Sequence, residues 1–115
     1  MLDIADEGAS WWGMPDVIAE RTLELTLPSG TQESIRVRVW APEYSPHFRC
    51  WVADVEVAGA GDTHKTHGAG IDGIQALYSA LYLIPSMLVK YENAGRLSWL
   101  NEGWLGFPEF KLTAP

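Results

Sequence analysis

The chain is short of the residues on which several protein classes depend. It has one cysteine, Cys50, so no disulfide can form within it, which fits a reducing cytoplasm. Eight Lys and Arg face fifteen Asp and Glu, a net charge of −7. A nucleic-acid binder replaces phosphate counterions with cationic side chains, and an anionic membrane surface asks for the same, so neither is expected as a partner. Nowhere do eighteen apolar residues run together, so no membrane-spanning helix is expected. The opening MLDIADEGASWWGMPD has neither a basic start nor a useful apolar run and is not read as a signal peptide. Three histidines and one cysteine offer little from which to build a zinc site, and there is no G-x-S-x-G nucleophile turn.

What remains is an ordinary globular composition. With 115 residues, 47% of them apolar, one domain with a core of its own is expected. Residues 1–16 read as an acidic N-terminal arm, because Asp3, Asp6, Glu7 and Asp16 have no Lys or Arg among them. The adjacent Trp11 and Trp12 imply that part of the arm docks. Residues 17–115 read as the domain.

Period-two alternation then marks strands. Leu23, Leu25 and Leu27 alternate with Thr22, Glu24 and Thr26; after Pro28-Ser29-Gly30, Ile35, Val37 and Val39 alternate with Ser34, Arg36 and Arg38. Two such runs around a short Pro/Gly turn predict an antiparallel hairpin. The register expected sets Leu25 opposite Ile35 and Glu24 opposite Arg36. Two prolines make residues 41–46 a loop or ragged edge. A third strand spans about Phe48 to Val57, apolar on both faces, and a short fourth spans Thr63 to Gly68 after the turn Gly59–Asp62.

A long helix follows. Asp72 is a good N-cap and Gln75 stands three residues on. Ile74, Leu77, Tyr78, Leu81, Ile84, Leu88 and Tyr91 form a stripe at helical spacing. Pro85 should kink the helix, and Gly95 suits a left-handed cap. Leu97 to Phe107 reads as a short strand or hairpin. The fold class expected is α+β: an antiparallel meander of about four strands, one long helix on one face, then a short strand or hairpin.

Four features of this frame bear on chemistry. Gly68-Ala69-Gly70-Ile71-Asp72-Gly73 spells G-x-G-x-x-G. A dinucleotide loop needs a buried parallel strand in front, and Gly-Asp-Thr-His-Lys-Thr-His is none. Asp72 would also put a carboxylate at the pyrophosphate position. The glycines are therefore read as backbone geometry: a tight turn into a capped helix. His64 and His67, three apart, fall on opposite faces of a strand. With Asp62 they are at most the rim of a small-ligand or metal pocket between helix and sheet. Cys50 reads as inert packing, and Asp54 and Glu56 as a solvated strand end rather than a glycosidase pair. No catalytic residue, cofactor or metal ligand is assigned.

Six tryptophans are many for this length. Trp40 falls on the strand face that carries Arg36 and Arg38, and Trp and Arg are enriched among binding hot spots. Arg36, Arg38 and Trp40, with Asp54 and Glu56 on the next strand, are the candidate protein interface; the alternative is that the arm or the tail covers this face. The segments Glu20-Arg21-Thr22-Leu23, Val39-Trp40-Ala41-Pro42, the Cys50 strand, Gly73-Ile74-Gln75-Ala76-Leu77 and Gly106-Phe107-Pro108 resemble a family of small uncharacterised bacterial domains over roughly residues 18–110. That resemblance implies no activity and no catalytic residues. In gross character alone, small and acidic, the chain also resembles immunity proteins that neutralise toxins. The function expected is a non-catalytic cytoplasmic protein-binding domain, in its sharpest form an immunity-type inhibitor of a basic toxin or effector. A ligand- or metal-binding domain or enzyme, and a homodimeric structural domain formed through a sheet face or edge, are the alternatives.

Overall fold

A computed structural model describes residues 16–108. The N-terminal arm, with Trp11 and Trp12, lies outside the described residues apart from Asp16. The elements are β1 (Val17–Thr26), β2 (Gln32–Trp40), β3 (Glu43–Ser45), β4 (Cys50–Gly59), β5 (Asp62–Gly70), α1 (Gly73–Met87), α2 (Val89–Ala94) and β6 (Arg96–Ser98). All pairings are antiparallel, and the order across the sheet is β5-β4-β2-β1-β6. β3 prolongs the line of β2 along the same edge of β4: Val39 lies opposite Val55, and Glu43 opposite Val52. Ala41-Pro42 makes the break between them, where a proline has no N–H to give the ladder. The protein is thus α+β, with a long helix on one sheet face and a short strand after it.

The alternation read from the sequence sorts the faces. Leu23, Leu25, Ile35, Val37, Val39, Ala53, Val55 and Val57 are buried on one face, joined by Ala76, Ala80, Ile84, Met87, Leu88, Tyr91 and Leu97. The hairpin register differs from expectation by two residues: Leu23, not Leu25, lies opposite Ile35, and Thr22, not Glu24, lies opposite Arg36. The turn decides this. Leu27 donates to Thr31 O (2.8 Å), so the loop spans Leu27 to Thr31 and pairing resumes at Thr26–Gln32. A shift of two keeps every side chain on its face.

α1 lies over β5 and β4. Asp72 caps it as expected: Gln75 N–H donates to Asp72 Oδ1 (2.8 Å), and Gln75 Oε1 accepts from Ile71 N–H (2.8 Å). Of the expected stripe, Ile84, Leu88 and Tyr91 are buried and Leu77 and Leu81 pack against the core, but its first turns depart from it. Ile74 and Tyr78 are 80% and 58% exposed, while Ala76 and Ala80 are fully buried. Gly68 and Gly70 explain the difference. A Cβ on Gly68 would stand 2.2 Å from Ala80 N, and one on Gly70 2.5 Å from Ala76 N. Helix and strand meet backbone to backbone, and only the smallest side chains fit between them. The helix runs through Pro85 to Met87, breaks at Leu88 and resumes as α2. Gly95 is extended (φ −177°), not left-handed. Its lack of a side chain serves close approach, since a Cβ there would lie 2.4 Å from Thr26 O.

After β6 the chain reverses through Leu100 and Asn101, both at positive φ, and Trp99 and Glu102 exchange backbone hydrogen bonds of 2.9 Å. The tail then crosses the core face of β1. Arg21, on that face, sets its guanidinium 3.7 Å from the Trp99 ring centroid and 4.8 Å from that of Phe107, and donates to Leu105 O (2.9 Å). Helix and tail therefore share one face. Among the described residues, no helix is long and apolar enough to cross a membrane.

Candidate functional site

Among the described residues, the opposite face of the sheet has neither helix nor tail on it. Each strand delivers every second side chain there, and the registers align them into rows. One row runs Glu20, Arg38, Glu56, Lys65 across β1, β2, β4 and β5, each opposite the next, with charge alternating at every step. Arg38 holds Glu56 through Nε (3.1 Å) and Nη2 (2.7 Å). That pair is largely shielded, its side chains 29% and 13% exposed, and charge-assisted bonds of this kind fix both partners. Lys65 reaches diagonally to Asp54 (3.8 Å) and Arg36 to Glu20 (3.4 Å).

Trp40 stands beside this row. Lys65 Nζ lies 4.3 Å from its ring centroid and Arg38 Cζ 5.1 Å. Both are within cation–π range, so the half-buried indole is held between two cations that are themselves held by carboxylates. Further along the face, the exposed Phe48 lies 4.8 Å from the ring centroid of His47 and 5.1 Å from that of His67.

Arg36, Arg38, Trp40, Asp54 and Glu56 thus share one face. Of the two segments that could have covered Trp40, the tail as far as Pro108 lies on the other side of the sheet. Asp54 and Glu56 do not act as a bare carboxylate pair, since each has its own cation. Lys65 and Phe48 were missed from the sequence. The signal for Lys65 was its place opposite Glu56, which only the β4–β5 register supplies; for Phe48 it was the turn before β4, where Arg49 takes a positive φ of 58°.

The histidine cluster does not assemble. His67 lies opposite Asp54 and projects on the open face, whereas His64, opposite Val57, projects on the other. Asp62 sits at the β4–β5 turn, joined to Lys90 of α2 and accepting from Thr63 N–H (2.9 Å). The Lys90 hydrogen bond holds the Asp62 carboxyl below its usual range, and the same bond raises Lys90. Among the described residues, no three His, Cys, Asp or Glu side chains gather to hold an ion. Cys50 is half-buried at the start of β4.

A cavity of about 200 Å³ does lie between helix and sheet, but beside β1 and β2, lined by Ala19, Arg21, Val39, Leu81, Ile84 and Phe107. Asp62, His64 and His67, expected at the rim of such a pocket, do not line it. Its volume is below the roughly 300–1,000 Å³ of ordinary ligand sites.

A family model described as "Domain of unknown function (DUF6968)" matches residues 19–109. The chain belongs to this family. The matched segment begins in β1 and takes in every later element, both faces of the sheet and the tail over Arg21. Comparisons with curated proteins and with solved structures returned no match.

Proposed function

We propose that this DUF6968 domain is a non-catalytic protein-binding module of the cytoplasm, and that its binding surface is the open face of the sheet. The observation that carries the reading is Trp40, clamped between Lys65 and Arg38 in the middle of an ion-paired face that nothing covers among the described residues. Ordered side chains lose little freedom on binding, and an indole flanked by arginine is the composition of a hot spot. The net charge of −7 favours a basic partner, drawn in from a distance at low salt. An immunity-type inhibitor of a basic toxin or effector is the form of this function that small size and acidity suit best.

The test is affinity capture from the source cell with three forms of the full chain: wild type, Trp40→Ala, and Trp104→Ala. Trp104 is an exposed indole on the tail and serves as the control. Wild type and Trp104→Ala should recover the same basic protein in near-stoichiometric amount, and Trp40→Ala should not. Equal recovery by Trp40→Ala, or no recovered protein with wild type, overturns the proposal.

A further inference from the structure

The two ends of the sheet differ. β6 is three residues long and turns away at once. β5 is nine residues long, pairs with β4 without a bulge and has no neighbour on its outer side among the described residues. The β4–β5 turn has two central residues, Ala60 and Gly61, both at positive φ (52° and 79°). Such a turn makes the flanking residues, Gly59 and Asp62, a hydrogen-bonded pair. Every second residue from Asp62 onward then points its N–H and C=O into β4, and Thr63, Lys65, His67 and Ala69 point theirs outward. Thr63 N–H agrees, since it is met by the Asp62 side chain rather than by β4. Lys65, His67 and Ala69 are solvent-exposed, and their outward backbone groups have no partner among the described residues. Natural edge strands are blunted by charged side chains, proline, bulges or short length; β5 carries one such device, Lys65, whose side chain turns to the open face and its ion pair with Asp54, and has no proline, bulge or shortness.

What could pair with this edge is narrowed by α1 above it. Leu81 lines the cavity on the β1–β2 side, so the opposite flank of the helix, above the free edge, carries Gln75, Ser79, Tyr82, Leu83 and Ser86. α1 has no charged residue in its fifteen. An added peptide strand alone would leave that uncharged flank uncovered. A partner that brings both a strand and a helix in the same layer covers edge and flank together, and a second copy of this chain brings both by symmetry. The stretch of β5 that would pair, Thr63–Ala69, has Lys65 as its one charged side chain, and α1 has none, so two chains of net charge −7 bring no carboxylate of these elements together there.

We propose that the protein forms a twofold dimer by antiparallel pairing of β5 with β5 of a second copy, centred on Thr66. Lys65 of each copy then exchanges backbone hydrogen bonds with His67 of the other, and Thr63 with Ala69. Two helices lying over the β4–β5 pairs stand two strand spacings apart, about 10 Å, the distance at which helices pack, with the small Ser79 and Ser86 between them. The two open faces join into one continuous surface carrying two Trp40 sites. The dimer contact uses the backbone edge of β5 and the flank of α1, whereas partner binding rests on the Trp40 side chain, so Ser86→Lys and Trp40→Ala make the two proposals fail independently.

The test is light scattering of the full chain across micromolar concentrations, with hydrogen exchange at Lys65, His67 and Ala69. Wild type should show twice the chain mass, and those three amides should exchange at least tenfold more slowly than in dilute monomer. His67→Pro removes a central outward N–H without taking a bond from β4. Ser86→Lys, at an exposed position, sets like charges between the helices. Each should raise the dissociation constant tenfold or more. If His67→Pro fails to fold, Ser86→Lys and the wild-type exchange rates decide. A monomer at every concentration, a dimer unaffected by Ser86→Lys, or free exchange of the three amides overturns the proposal.

Discussion

A methyl group at Gly68 would lie 2.2 Å from the amide nitrogen of Ala80, inside a backbone contact that no rotamer change relieves. Gly68→Ala must push α1 off β5, and we expect a loss of about 1–3 kcal/mol or more in chemical denaturation. Gly103, with nothing within 4 Å of its would-be Cβ, is the control, and Gly103→Ala should stay within about 0.5 kcal/mol of wild type. The glycine-rich spelling was legible as geometry rather than nucleotide chemistry, because Asp72 and the polar residues before Gly68 spoke against a phosphate loop. Which geometry it was depended on a helix crossing the strand, and no local pattern shows that. A second residue-scale consequence concerns Asp62 and Lys90. The Asp62 pKa is lowered from 3.8 by its bond with Lys90, so its contribution is present above that value and lost as pH falls through the lowered one. The Lys90 pKa is raised from 10.5, so its contribution is present below 10.5 and lost as pH rises through the raised one. Asp62→Asn should therefore lower thermal stability between about pH 4 and 10 and leave it unchanged in strong acid, as read by melts across pH.

At the scale of the elements, caps and alternations were legible because they are local. Asp72 with Gln75 starts α1 as read, and Asp72→Ala should cost about 0.5–2 kcal/mol of unfolding free energy. Strand faces were legible for the same reason, since period two fixes the face whatever the register. The buried side of the helix was legible from Leu81 onward but not in the first turns of α1. The apolar stripe through Ile74 and Tyr78 is real, but the sheet offers a glycine groove, and Ala76 and Ala80 fit it better than larger side chains do. Gly95 shows the same limit: its place after Asn93-Ala94 suggested a left-handed cap, whereas the requirement comes from Thr26, far away in sequence.

At the scale of the molecule, the fold puts its apolar covering, helix and tail, on one side of the sheet and leaves the other side to charge and aromatic rings. Five of the interface candidates were legible from alternation within single strands. Lys65 was not, because the row from Glu20 to Lys65 exists only once four strands are in register, and Phe48 was not, because the turn before β4 sets where its ring points. The ion pairs of that row hold Trp40 in place and, among the described residues, nothing encloses it, so the partner we propose would meet a held indole and already oriented charges. The most direct test is a calorimetric titration of the captured partner into wild type and into Trp40→Ala, with circular dichroism confirming that both are folded. We expect the substitution to weaken binding by about 30-fold or more, the loss of a hot-spot side chain worth at least about 2 kcal/mol. Equal affinity of the two proteins would show that the open face is not where this domain binds.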